Sequence, residues 1–471
     1  MLPPVVGFDL DLTLVDPRAG VAASYRELSR QTGVPIDADE VATRVGPQLE
    51  LELARWFPPA AVPAVADHYR EIFAVHGVPV TAALPGAGPA LAEVRRQGGR
   101  SVVITAKSPP IARATLDRLG LAPDDLLAWR WADGKTSALA EVGADLYVGD
   151  HVADMHAAAA AGVYAVGVTS GADDAAALVA AGADVVLDSI ADFAAWFSTY
   201  LLPARLAALD GALRSLGSVV VAFSGGADSA FLLAAAARAL GPDNVVAATA
   251  VSPSLPAYEL VAAADFAARL GVRHETPRTD EMARDGYRAN DGNRCYFCKS
   301  ELLDVLRPLA DGLGIAHVAT GTNADDAVAG FRPGIRAAAE RGAVTPLRDA
   351  GFTKDQVRAA SRDWGLPTWD KPALACLSSR VAYGITITPQ RLARVEQAEV
   401  ALRTALVDAG ATVHDLRVRD LGDRARVEVD AELVDWLVAR PEILACVNGF
   451  EAVEVDPRGF RSGSMNEALS S

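Results

Sequence analysis

The chain has 471 residues and only four cysteines. That is too few for a disulfide scaffold, so the CxxC pair Cys295 and Cys298 reads as metal-binding or redox-active. No run of about 18 apolar residues occurs, so no membrane-spanning helix is expected. The opening MLPPVVGFD has neither a basic n-region nor an apolar h-region, so no secretion signal and a cytoplasmic location are expected. Positive charge is in deficit: 44 Lys and Arg against 60 Asp and Glu give a net charge of −16. An extended nucleic-acid surface is therefore disfavoured, although a local basic pocket is not. No Gly-Lys-Ser/Thr follows any glycine-rich turn at the right spacing, so there is no Walker loop. Internal repeats are also missing. What is present is a 51% apolar chain rich in alanine, long enough for two or three domains.

The most informative stretch is VVVAFSGGADSAF, Val219 to Phe231. Small and β-branched residues predict a buried strand. Ser224, Gly225 and Gly226 form a tight turn, and Asp228 and Ser229 open an alanine-rich helix. Glycines let backbone N–H groups approach a phosphate closely, and a helix N-terminus adds a favourable dipole.

A second pattern fills the first 200 residues. Val5 to Phe8 predicts a short strand ending in Asp9, Asp11 and Thr13, and SVVIT predicts another ending at Thr105. Lys135 follows, then LYVGDHVADM with Asp150 and Asp154 after a strand. Strand C-termini are where open α/β sheets place ligands. Four converging carboxylates are costly unless a cation neutralises them, and Mg²⁺ suits oxygen donors. A nearby lysine and a threonine hydroxyl would hold a phosphate. His68, His76 and His151 lack matching partners and read as bystanders.

Taken together, these motifs resemble those of the haloacid dehalogenase-like phosphatases. The resemblance implies Asp9 as the nucleophile that forms an aspartyl-phosphate and Asp11 as general acid/base. It implies Thr105 and Lys135 as phosphate stabilisers. Asp9, Asp11, Asp150 and Asp154 would form the magnesium site, Asp154 supporting the metal or Lys135. The helical stretch at about 17–80 resembles a C1-type cap. Leu12 departs from the commonest pattern, which has glycine there.

The SGGxDS string resembles the pyrophosphate loop of PP-loop ATP pyrophosphatases, which would make Ser224, Gly225, Gly226, Asp228 and Ser229 the ATP site. With NRCYFCKSEL (293–302), GTNADD (321–326), FRPGIRAA (331–338), GLPTWDKPALACLSSR (365–380) and FRSGSMNE (460–467), the resemblance narrows to the LarE-like sulfur transferases. Such enzymes adenylate a carboxylate of pyridinium-3,5-biscarboxylic acid mononucleotide and replace its oxygen with sulfur, in nickel-pincer cofactor synthesis. Cys376 is then the implied catalytic thiolate, with Arg380 near enough in sequence to depress its pKa. Three sulfur chemistries stay open. Cys295, Cys298 and Cys376 would hold a four-iron four-sulfur cluster, Cys376 would surrender its own sulfur, or the CxxC pair is a zinc site or inert. The rival class is a tRNA-thiolating PP-loop enzyme. A further alternative makes the first domain a non-catalytic scaffold.

The expected fold class is α/β. Two doubly wound parallel-sheet domains, at 1–200 and 201–387, precede a small α+β subdomain at 388–471. A new helix is expected to begin near Leu202-Pro203. In the subdomain HDLRVRDLGDRARVEV alternates apolar and charged residues, predicting half-exposed antiparallel strands. Arg417 and Arg419 there, with Arg380 and Arg461, are substrate-binding candidates, because guanidinium suits planar anions. A solvated strand face is the alternative for Arg417 and Arg419. The expected partners are small molecules (ATP, the pyridinium mononucleotide and a phosphate monoester) and further copies of the chain. The fusion suggests that the phosphatase acts on a nucleotide or a phosphorylated by-product of the same pathway.

Overall fold

A computed structural model of the chain describes residues 3–46, 48–328, 332–372, 376–461 and 464–465. Residue 331 of FRPGIRAA, residues 373–375 of the ALACLSSR stretch, and residues 462–463 and 466–467 of FRSGSMNE lie outside the described residues. The chain divides into two compact units, Met1–Leu201 and Leu202–Ser471. One helix, Phe193–Leu216, runs through the point of division and contains Pro203. The helix start expected at Leu202-Pro203 is thus absent. Phe193, Phe197 and Leu201 anchor its first half in one core and Leu209 and Leu213 its second half in the other. That burial outweighs the single hydrogen bond that proline removes.

The first unit is built on a six-stranded parallel sheet. Its spatial order is Asp125–Leu127, Arg100–Ile104, Val5–Phe8, Leu146–Gly149, Tyr164–Val168, Val185–Leu187. Numbered along the chain, this is the 3-2-1-4-5-6 order of a doubly wound fold, with its switch point between Val5–Phe8 and Leu146–Gly149. The strands read as continuous apolar runs because helices cover both faces. Val6, Phe8, Val103 and Val148 pack on one side, Val102, Ile104 and Tyr147 on the other. After the first strand the chain leaves through Val15–Asp16 and returns through Ala82–Ala83, an antiparallel pair. Between them, helices from Arg18–Thr32 to Val62–Ile72 form a cap, with Tyr25, Leu28, Leu53, Tyr69 and Phe73 as its apolar centre.

The second unit carries a four-stranded parallel sheet in the order Arg273–Glu275, Val245–Ala248, Val219–Ala222, Val318–Thr320. Its chain order is 3-2-1-4, so Val219–Ala222 is central and delivers the glycine turn at the switch point. Beyond it, helix Pro389–Asp408 packs on a three-stranded sheet. Leu416–Asp420 pairs antiparallel with Arg424–Val429, which pairs parallel with Ala452–Val455. The two strands expected to be half-exposed differ: Leu416–Asp420 is buried throughout, whereas Arg424–Val429 keeps Arg424 exposed and Arg426 half-buried. Arg419 and Asp420 are matched by opposite charges, so alternation marks two covered faces in Leu416–Asp420. Arg419 Nη2 lies 2.6 Å from Glu428, and Asp420 receives Arg391 Nη1 at 2.9 Å.

Two candidate active sites

In the first unit, strand ends bring the acidic residues together. The Asp9 N–H donates to Val148 O at 2.9 Å across the switch point, so Asp9 and Asp150 leave adjacent strands side by side. Lys135 Nζ, presented by helix Asp133–Val142, bridges Asp9 at 2.7 Å and Asp154 at 2.5 Å. Thr13 Oγ1 donates to Asp150 at 2.9 Å. One carboxylate oxygen from each of Asp9, Asp150 and Asp154 falls within a 4.8 Å cluster, a donor set fitted to a hard divalent cation.

The electrostatics fit the same purpose. Burial, with help from the neighbouring charges of Asp154 and Asp11, pushes Asp9 up to about 7 against the pull of Lys135. Burial and the charges of Asp9 and Asp154 hold Asp150 well above the usual carboxylate range. Burial opposes the charge on Lys135, but Asp154 and Asp9 outweigh it and hold its pKa well above normal. A bound cation would relieve this excess of negative charge.

Asp11 points elsewhere. One of its carboxylate oxygens lies 2.8 Å from Lys107 Nζ, and the other is buried without a hydrogen-bond partner. Leu12, where the resemblance has glycine, takes φ +58°, a left-handed conformation costing an ordinary residue about 1–2 kcal/mol. Thr105 is buried at the end of its strand, its hydroxyl accepting from Lys107 N at 3.2 Å. A cavity of about 310 Å³ joins these groups to Tyr25, Arg70 and Phe73 of the cap and to Trp129 and Trp131. His151 lines it too; its Nδ1 accepts from Ala153 N at 3.1 Å, capping helix Val152–Ala161. Sequence reasoning overlooked Lys107, Trp129 and Trp131, whose spacing carries no periodic signal.

In the second unit, Gly225 takes φ +76°, which turns the loop back over the start of helix Ala227–Leu240. Ser229 Oγ receives Ser224 N at 3.3 Å and contacts Ser224 Oγ at 3.1 Å. Asp228 accepts from Asn323 Nδ2 at 3.0 Å, and burial raises its pKa. Gly321 lies so close that a Cβ there would stand 2.9 Å from Ser229 N, which explains the glycine opening GTNADD. Lys299, Lys354, Arg358 and Lys371 surround a cavity of about 430 Å³ over the loop. Lys371 Nζ reaches Gly225 O at 3.1 Å and Glu259 at 2.7 Å. These four cations are further residues that sequence reasoning did not single out.

The same unit carries three thiols in one neighbourhood. Cys295, Cys298 and Cys376 interact electrostatically with one another, and burial pushes the Cys298 thiol up. Leu377 N donates to Ser254 O at 2.9 Å, and the next residue, Leu255, lines the cavity over the glycine loop. The buried guanidinium that shares a field with the Cys295 and Cys376 thiols is Arg294, fixed by Asn290 Oδ1 at 2.6 Å and Ser378 O at 2.8 Å. Arg380 is buried, with Nε 2.9 Å from Glu399 and Nη1 3.1 Å from the Cys376 carbonyl. Arg419 reaches Ser379 O at 3.2 Å, and Arg417 is buried with its guanidinium over the Phe460 ring. Arg461 Nη1 lies 3.7 Å from Asp456. The solvated-face alternative for Arg417 and Arg419 is corrected by this burial.

The fold is that of an α/β enzyme, and comparison with known proteins defines it as a haloacid dehalogenase-like hydrolase unit followed by a synthase-like unit. The model of the haloacid dehalogenase-like hydrolases matches residues 6–159. An uncharacterized protein of Synechocystis is 42% identical over 275 residues, 57% of this chain and 100% of that one. The pyridinium-3,5-bisthiocarboxylic acid mononucleotide synthase of Lactiplantibacillus plantarum is 36% identical over 272 residues, 57% of this chain and 96% of that one. The tyrosine-protein kinase PtkA of Mycobacterium tuberculosis is 33% identical over 176 residues, 34% of this chain and 60% of that one. The chain belongs to the LarE-like family of pyridinium-3,5-bisthiocarboxylic acid mononucleotide synthases and carries a haloacid dehalogenase-like domain ahead of it. Among the described residues no helix is long and apolar enough to cross a membrane.

Proposed function

We propose that the second unit uses ATP to convert a carboxylate of pyridinium-3,5-biscarboxylic acid mononucleotide to a thiocarboxylate in nickel-pincer cofactor synthesis. The observation that supports this reading is the 36% identity over 96% of the synthase, in a unit that holds both a glycine loop ringed by four cations and three thiols sharing one electrostatic neighbourhood. The carboxylate oxygen bonds to the α-phosphorus of ATP, and pyrophosphate leaves into the Ser224–Ser229 loop. Ser224, Gly225, Gly226, Asp228 and Ser229 form that cradle, while Lys371 and Lys354 balance its charge. The Cys376 thiolate then attacks the acyl carbon and AMP departs. Arg294 steadies the thiolate, and Arg380, Arg417, Arg419 and Arg461 are proposed to hold the substrate's anionic groups.

Two sulfur sources fit this arrangement. In one, Cys376 loses its β-sulfur by elimination and becomes dehydroalanine. In the other, Cys295, Cys298 and Cys376 would hold a four-iron four-sulfur cluster, which would supply an extra sulfide as the nucleophile in place of the Cys376 thiolate. Anaerobic iron and sulfide analysis, with intact mass before and after turnover, separates the two sources.

The first unit is proposed to hydrolyse a phosphate monoester. Asp9 attacks phosphorus, Asp11 gives the leaving oxygen its proton, and Thr105 and Lys135 hold the phosphoryl oxygens. Water then cleaves the aspartyl-phosphate. Asp9, Asp150 and Asp154 would hold Mg²⁺, which would offset the charge gathered on the phosphoryl group. A second reading, phosphoryl transfer to a protein hydroxyl, is favoured by the likeness to PtkA. Labelled phosphate released to solution supports hydrolysis; label retained on a tyrosine supports transfer.

A further inference from the structure

Trp129 has a setting that its own packing does not require. It follows strand Asp125–Leu127, lines the cavity above Asp9, and is 52% exposed. A single exposed apolar side chain is ordinary. This one, however, takes φ +58°, a left-handed backbone that a bulky residue rarely adopts. Such outliers persist where the surroundings over-determine them, and they gather at ligand sites. Two hydrogen bonds hold this one. Trp129 N donates to Lys107 O at 2.9 Å and Arg130 N donates to Thr105 O at 2.8 Å. The indole is therefore tied to the loop that carries Thr105 and Lys107. The Arg70 guanidinium sits 4.7 Å from its ring centre.

The charges of the cavity wall narrow the ligand further. Among the described lining residues, the cations other than Lys107 and Lys135 are Arg44 and Arg70. Arg44 is matched by Glu52 at 2.9 Å and by Glu40, and Arg70 by Asp67 at 2.8 Å and by Glu50. No unmatched cation is left for a second phosphate or a carboxylate. The cavity, about 310 Å³, is at the small end of ligand pockets.

We infer that the first unit takes nucleoside monophosphates. The ester would carry one phosphate, one flat ring stacked on Trp129, and no other anionic group. This deepens, and rests on, the phosphatase reading. AMP fits the description, and it is the product released by each adenylation proposed for the second unit. The reaction balances without a further reagent. The ester P–O bond breaks as phosphorus bonds to Asp9, and the ester oxygen takes a proton and leaves as adenosine. Water then releases phosphate.

The test measures phosphate release by the whole chain with Mg²⁺ from AMP, ribose 5-phosphate, glycerol 3-phosphate, ADP and fructose 1,6-bisphosphate. Base–aromatic stacking predicts a kcat/KM for AMP at least about ten-fold above ribose 5-phosphate, with ADP and the bisphosphate poorer still. In Trp129→Ala that preference collapses, chiefly through KM, and Trp129→Phe restores most of it. Equal turnover of ribose 5-phosphate and AMP, or a preference that survives Trp129→Ala, overturns the inference. If no ester is hydrolysed, the phosphatase reading fails separately, and AMP binding to Asp9→Asn protein by calorimetry decides. Tighter binding than ribose 5-phosphate that depends on Trp129 supports the inference; equal binding overturns it.

Discussion

Lys107 Nζ lies 2.8 Å from the Asp11 carboxylate and 4.7 Å from the centre of the Phe73 ring in the cap. One cation thus touches both the proposed general acid and the helical cap. Lys107→Met leaves a largely buried carboxylate without its counter-charge. Phosphatase kcat is expected to fall roughly ten- to a hundred-fold, a fraction of what general acid–base catalysis supplies. Lys107→Arg should retain most of it. Steady-state assays of the two variants check this, and a Lys107→Met enzyme with normal kcat would remove Lys107 from the mechanism.

The raised pKa of Asp9, about 7, predicts how magnesium and pH are coupled. A carboxylate whose folded pKa lies above its unfolded value stabilises the fold below the unfolded pKa, and this stability is lost as pH rises through the folded one. Without a cation, the first unit should therefore lose thermal stability between about pH 4 and pH 7. Magnesium requires the ionised form, so its affinity should rise over the upper part of that window and its stabilising effect should be largest above pH 7. Calorimetric scans with and without Mg²⁺ across this range test the sign.

Asn323 Nδ2 is a side-chain donor to Asp228 in the glycine loop proposed to hold pyrophosphate. Asn323→Ala leaves a half-buried carboxylate short of a hydrogen bond, worth about 1–3 kcal/mol. The expected result is a rise of about ten-fold in the KM for ATP, with little change in phosphatase activity. Pyrophosphate release at varied ATP measures it; an unchanged KM would place Asn323 outside the loop's support.

Arg419 and Glu428 form a buried pair in the last sheet. Glu428→Leu alone strands a buried guanidinium and should cost about 3–5 kcal/mol. The second unit's transition should fall by roughly 10 °C. Pairing it with Arg419→Met should recover most of that loss if the pair is structural. If the double variant regains stability but not sulfur transfer, Arg419 also serves the substrate.

The sequence made some of this legible. Asp9, Asp150 and Thr105 follow apolar runs, so a parallel sheet with ligands at its strand ends placed them in advance. Leu12 also carried a readable signal, since the position wants glycine and has a left-handed backbone. Lys107 and Trp129 were not legible. Each owes its position to a loop–loop hydrogen bond, which leaves no periodic trace. The alternation at Arg417 and Arg419 misled for a related reason. A strand covered on both faces can keep charged residues when buried acids such as Glu428 face them, and pattern alone does not distinguish that from a wet face. Arg294, inside NRCYFC, is the buried cation whose field reaches Cys295 and Cys376, a relation set by tertiary packing rather than by sequence proximity.

The most direct test of the account is anaerobic turnover of the whole chain with ATP and pyridinium-3,5-biscarboxylic acid mononucleotide, following AMP and small-molecule sulfur by mass spectrometry. The account predicts AMP formed in step with replacement of a carboxylate oxygen by sulfur, and loss of sulfur transfer in Cys376→Ala. Wild-type protein that forms neither, or that delivers labelled sulfur to tRNA instead, would contradict it.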